Sequence, residues 1–290
     1  MSNKLRWYHE RFVLIGMNLF FGDDYMNIEK AIEQFKNYTN DYINLSSKCV
    51  LKVEHTLRVM DLCEQIAVSL NFSEEEIALA KVCGLLHDIG RFEQWKQYET
   101  FNDLKSIDHG DMGYKILIDN NCEQLRKFIE NDEWDSVILN SVKYHNKYQV
   151  PEFLMEQERL FTNIVRDADK LDILYLYTRG DISINPGMDK MTNNIYQSLI
   201  NKEGIKKIDI KNNADRVAIS LGFAFDFNYK KSFEILKEKN YLTKEINLYK
   251  NSSENKEFIN QLTEIESVIN EYINKKTIDE GNDIDVRKKI

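Results

Sequence analysis

Two prolines, Pro151 and Pro186, and 11 glycines are all that this 290-residue sequence has of the two strongest turn formers. So few chain breakers exclude folds assembled from many tight turns, such as β-sandwiches and propellers, and favour long helices. Cysteine is scarce as well. Cys49, Cys63, Cys83 and Cys122 form no CxxC pair and no zinc-knuckle spacing, which excludes a disulfide framework and fits a reducing cytoplasm. No apolar run is long enough to span a bilayer. The strongest, residues 12–21, is interrupted by Gly16 and Asn18, covers about half of the roughly 20 residues a span needs, and has no small-residue cleavage site after it. Positive charge is in deficit too: 39 Lys and Arg against 48 Asp and Glu give a net charge of −9. That balance argues against stable nucleic-acid binding and points to small-molecule partners.

What is present is a helical pattern. A hydrophobic content of 42% supports a sizeable core, and the reading is an all-α protein. Residues 1–25 form a separate piece, expected to be a short apolar helix docked on the core and a candidate surface for self-association. Met26 is an alternative start, because a helical pattern with Ile28, Ile32, Phe35 and Tyr38 begins there. The spacing predicts helices over Lys48–Leu70, from the capping box at Ser73 and Glu76 through Leu86, and over Ser106–Asn120, Glu133–Lys147 and Glu156–Tyr177. An aromatic, acidic loop is expected from Arg91 to about Lys105. Asn185-Pro186-Gly187 marks an internal boundary near 180, so residues 26–180 read as the core and 181–290 as a helical C-terminal extension. In that extension, helices are expected around Val217–Lys239 and Asn255–Lys275. A short strand is expected at Ile205–Ile210, and a frayed polar tail from Lys276.

Four of the five histidines fall in these helices at positions facing apolar stripes. Leu51, His55, Val59 and Leu62 share one face; Ile77, Ala80, Gly84 and His87 share another; Ile138, Ser141 or Val142, and His145 share a third. His109 sits similarly with Gly113 and Ile116, and Asp169 with Phe161 and Val165, while Asp88 directly follows His87. One histidine on an apolar face is usually a hydrogen-bonded core residue. Six polar groups buried without partners would each cost about 1–3 kcal/mol, which rivals the whole stability of a typical domain. If they converge, a divalent cation satisfies them, since neutral imidazoles and carboxylates are ligands for Mn²⁺, Fe²⁺, Ni²⁺, Zn²⁺ or Mg²⁺. The stripes alone do not show that they face one another.

The segments VEHTLRV, GLLHDIGRFEQW, SIDHGDMGYKIL, KYHNKY and RDADKLDIL follow one another across roughly residues 45–180. In this order they resemble the HD superfamily of metal-dependent phosphohydrolases, a helical bundle whose signature is H…HD…D. The resemblance implies that His55, His87, Asp88 and Asp169 bind one metal ion. It also implies that His109 and His145 are either ligands of a second ion, with Asp88 bridging the two, or substrate-facing donors to a phosphate oxygen. Asp108, beside His109, is a candidate to orient an imidazole or simply a solvated helix start. Ile-Gly-Arg follows the HD pair in place of the Glu-Asp typical of guanosine tetraphosphate hydrolases, and no Gly-Tyr-Pro triplet supports a cyclic di-GMP assignment.

The expected chemistry is hydrolysis of a phosphate ester of a nucleotide or related small molecule, with one or two divalent ions as cofactor. Asp88 is the expected ligand that orients or deprotonates the attacking water. Arg91 is the leading candidate for phosphate contact, followed by Arg58 and Lys170. Phe92, Trp95 and Tyr98 are candidates to stack on a base. Two alternatives stand beside this reading: a phosphodiesterase with a dinuclear site, including one for cyclic dinucleotides, and a non-catalytic nucleotide-binding module.

Overall fold

The computed structural model describes residues 26–278. The apolar helix expected within residues 1–25 and the end of the polar tail lie outside them. The described residues are helical and contain no strand. In chain order the α-helices are α1 Ile28–Ile43, α2 Ser47–Ser69, α3 Glu74–Leu86, α4 Ile89–Tyr98, α5 His109–Arg126 and α6 Asp135–Tyr144. They continue with α7 Glu156–Arg179, α8 Asn193–Ile200, α9 Asn213–Gly222, α10 Lys230–Lys239, α11 Tyr241–Ser252 and α12 Lys256–Ile278. No described helix is long and apolar enough to cross a membrane. The chain forms two compact units that divide between Val165 and Arg166, inside α7.

Local signals set the helix starts in the first unit. The Ser46 side chain accepts from the Lys48 amide at the head of α2, and Ser73 with Glu76 forms the reciprocal capping box of α3. Asp108 accepts from the Asp111 amide to open α5. α2 and α3 pack extensively, burying Val53, Leu57, Met60, Cys63 and Ile66 with Leu79, Ala80, Cys83 and Leu86. Gly84 sets how close they come: a Cβ there would lie 2.8 Å from Cys63 Sγ and 3.0 Å from Met60 Cα. α1 adds Phe35, Tyr38 and Tyr42, which surround Phe92 at centroid distances of 5.8–6.1 Å.

Several expectations change. The loop expected from Arg91 is largely α4, because Phe92 is a fully buried core residue that anchors a helix immediately after the HD pair. Phe92 is therefore withdrawn as a stacking residue. The irregular stretch is only residues 99–108, with a single 3-10 turn at Asp103–Lys105. α5 breaks at residues 119–122, where Asn120, Asn121 and Cys122 adopt left-handed backbone. The strand expected at Ile205–Ile210 is instead irregular chain with a 3-10 turn at Lys207–Asp209; an alternating pattern too short to find a pairing partner does not make a sheet.

In the second unit the helix expected over Val217–Lys239 is interrupted. α9 ends at Gly222, a 3-10 turn spans Phe223–Phe225, and α10 begins at Lys230. The buried Asp167 carboxylate makes this break. It accepts from the amides of Asn228 and Tyr229, from Asn228 Nδ2 and from Ser232 Oγ, and so ties down the turn that leads into α10. Phe227 and Phe233 are buried, and Phe233 packs with Tyr272, so the aromatic stripe there is core.

Candidate metal centre

His87 and Asp88 occupy the joint between α3 and α4. His87 caps the C-terminus of α3 and Asp88 precedes the first residue of α4. Asp is a favoured N-cap residue, yet the Asp88 side chain makes no capping hydrogen bond. Its carboxylate is turned instead into a cluster of histidines, where it is 2% exposed. His109 is the first residue of α5, and His145 caps the C-terminus of α6. Only His55 sits in the middle of a helix, α2. All four imidazoles are buried, at 0–3% exposure.

Hydrogen bonds fix which ring nitrogen faces inward. His87 Nδ1 lies 2.6 Å from the Gly84 carbonyl and His145 Nδ1 lies 2.8 Å from the Val142 carbonyl. Both carbonyls belong to a last helical turn and lack a helical partner. A carbonyl only accepts, so each Nδ1 carries a proton and donates, and Nε2 is the ring nitrogen turned toward Asp88. His109 Nδ1 donates to Asp103 Oδ2 at 2.8 Å, with the same result. The Nε2 atoms of all four histidines lie 3.4–3.8 Å from an oxygen of Asp88.

Asp88 shares its two oxygens between two histidine pairs. Oδ2 is 3.5 Å from His55 Nε2 and 3.6 Å from His87 Nε2, which are themselves 3.4 Å apart. Oδ1 is 3.4 Å from His109 Nε2 and 3.8 Å from His145 Nε2, which are 3.0 Å apart. Two cation-ready groups result, His55, His87 and Asp88, and Asp88, His109 and His145. The Nε2 atoms of His109 and His145 face each other, and burial, then the Arg91 guanidinium, pulls the His109 pKa down to about 3. A divalent cation with Zn–N-type bonds of about 2.0–2.1 Å fits such a pair.

The carboxylates remain charged. Burial by itself would raise Asp88, but Lys52, His87, His145 and Arg91 hold it well below the usual range. Burial likewise opposes ionisation of Asp103, and His109 and Arg91 outweigh it.

Arg91 is held rather than extended. Its Nη1 donates to Asp103 Oδ1, Gln94 Oε1 and the Phe101 carbonyl, while its buried Nε lies 3.5 Å from Asp88 Oδ1 and has no hydrogen-bond partner. Gln94, fully buried, ties Asp103, Ser106 and the Ile107 carbonyl together. Asp108 does not orient His109: it caps α5 and pairs with Lys147 at 2.7 Å and Asn146 at 3.0 Å. Asp103 does that work. Arg58 is partly exposed on α2. Asp169 is half-buried on α7 in the second unit, where the buried Arg166 and Lys170 both reach Asp226 Oδ2, at 2.7 and 2.9 Å.

Sequence reasoning missed Lys52 and Asp103. Lys52 Nζ contacts Asp88 Oδ2 at 2.8 Å, and its place three residues before His55 on one helix was a usable signal. Asp103 lies in an irregular loop with no periodicity to mark it.

Residues 53–174 match the family model of the HD domain. Comparison with curated proteins and with solved structures gives no significant match.

Proposed function

Residues 53–174 are an HD domain, and from that premise we propose that this protein is a metal-dependent phosphohydrolase acting on a phosphate ester of a nucleotide or related small molecule. One observation carries the reading: Asp88 offers Oδ2 to His55 and His87 and Oδ1 to His109 and His145, all with buried side chains. That division would suit two divalent ions, one held by His55, His87 and Asp88 and the other by Asp88, His109 and His145. Bound divalent ions supply a water of lowered pKa and neutralise phosphoryl charge during in-line attack.

The chain's own groups do the rest. His87, His109 and His145 hold Nε2 inward through their Nδ1 partners, which orients the rings for binding. Asp88 stays ionised and fixes the spacing of the two sites. Arg91 has one guanidinium edge pinned by Asp103, Gln94 and Phe101, which leaves the unpartnered Nε–H as the donor to a substrate oxygen.

The test is elemental mass spectrometry of the purified protein, with phosphate-release and diester-cleavage assays on a nucleotide panel in Mn²⁺. The expected result is a metal ratio near two, with turnover that Asp88→Asn abolishes while helix content is unchanged. A ratio that stays near zero after Mn²⁺ addition overturns the reading. Two bound ions without turnover of any ester selects a nucleotide-binding module instead.

A further inference from the structure

Lys52 is the least buried of the groups around Asp88. Its side chain is 22% exposed, against 3% for Asp88 and 1% or less for His55 and His87. It stands one turn before His55 on α2, so it approaches the His55 and His87 end of the centre from the solvent side. Its stem runs past Phe101, with Nζ 5.8 Å from the ring centroid, and Nζ ends 2.8 Å from Asp88 Oδ2. Asp88 is its one ion-pair partner among the described residues.

That partner is the oxygen which the facing pair His55 Nε2 and His87 Nε2 also approach. A carboxylate oxygen given to a dication no longer balances an ammonium group, and like charges a few ångströms apart repel. Lys52 then needs another anion on its solvent side. We propose that Lys52 is a substrate ligand, whose ammonium group binds a non-bridging phosphoryl oxygen of the ester at the His55, His87 and Asp88 end of the centre. The inference rests on the phosphohydrolase reading and adds to it the side from which the phosphoryl group enters. Arg91 Nε, 3.5 Å from the other Asp88 oxygen, flanks the opposite end, so the phosphoryl group lies between two cationic donors. Lys52, with three rotatable N–H donors on a flexible stem, suits an oxygen whose position changes during displacement.

The experiment is calorimetric titration of inorganic phosphate into the Mn²⁺-loaded full chain, with bound Mn²⁺ counted by elemental mass spectrometry. Lys52→Gln removes the charge and keeps the stem against Phe101; Lys52→Arg keeps the charge. A charge-assisted hydrogen bond predicts that Lys52→Gln weakens phosphate binding about tenfold or more, with the Mn²⁺ count unchanged, and that Lys52→Arg restores most of the affinity. Unchanged phosphate affinity in Lys52→Gln overturns the proposal and leaves Lys52 as a counter-charge to Asp88 alone. A fall in bound Mn²⁺ or in helix content for that variant overturns it too, by making Lys52 structural. Wild-type protein that takes up no Mn²⁺ is a separate result, seen before phosphate is added, and it removes the underlying phosphohydrolase reading.

Discussion

Asp103 Oδ2 lies 2.8 Å from His109 Nδ1, and this contact decides which nitrogen His109 presents to Asp88. The arrangement is a carboxylate–histidine relay of the kind that orients metal ligands. Asp103→Ala is expected to lower affinity at the His109 and His145 site by about 10–100-fold while sparing the His55 and His87 site. Metal titration followed by elemental analysis should then show one tight equivalent where the wild type shows two; two tight equivalents would remove Asp103 from the site.

The two halves of the centre should be separable. His145→Ala is expected to cost one ion and leave the group of His55, His87 and Asp88 filled, whereas His55→Ala should empty that group and leave Asp88, His109 and His145. Counting bound Mn²⁺ in both variants checks this. If either variant retains both ions, the deleted histidine faces substrate.

Gly90 is the point of closest approach between α4 and α5. A Cβ there would lie 2.3 Å from the His109 carbonyl oxygen and 2.5 Å from the Gly113 amide, both backbone atoms. Gly90→Ala therefore forces the helices apart and should cost about 1–3 kcal/mol, visible as a lowered melting temperature. Because the displaced segment carries His109, affinity for the second ion should fall in parallel. A variant as stable as wild type would mean that α5 shifts without strain.

Glu245, buried in the second unit, is a source of pH dependence away from the histidine cluster. Burial pushes its pKa up to about 8, only partly offset by the Ser220 hydroxyl, and Oε2 has no hydrogen-bond partner. The folded chain thus binds this proton more tightly than the unfolded chain, whose carboxyl titrates near 4.5. Stability from this group is fully present below the unfolded value and is lost progressively as pH rises to about 8. Thermal melts between pH 5 and 9 should show that decline in the wild type and a flatter profile in Glu245→Gln. Equal slopes in the two proteins would assign the pH dependence to other groups.

Much of this protein is legible in its sequence, for a physical reason. The scarcity of proline and glycine, the capping box at Ser73 and Glu76, and the apolar periodicity around His55 and Leu79 are all local, and they act within a turn or two of chain. They suffice for an all-helical fold. The motif resemblance adds the order His55, His87, Asp88, and the structure gathers those three side chains in one buried group. Periodicity also placed His109 and His145 in the interior, although both turned out to stand at helix ends, where a carbonyl or a carboxylate is free to accept from Nδ1.

The tertiary structure alone decided the rest. The oxygen of Asp88 that serves each histidine pair, the choice of Asp103 over Asp108 behind His109, the contact of Lys52 with Asp88, and the burial of Phe92 that turns an expected loop into α4 all depend on packing between segments far apart in the chain. A pattern along one helix records which face is buried. It does not record what that face meets, and the meeting of α2, α3, α5 and α6 brings four scattered histidines around the one carboxylate of Asp88.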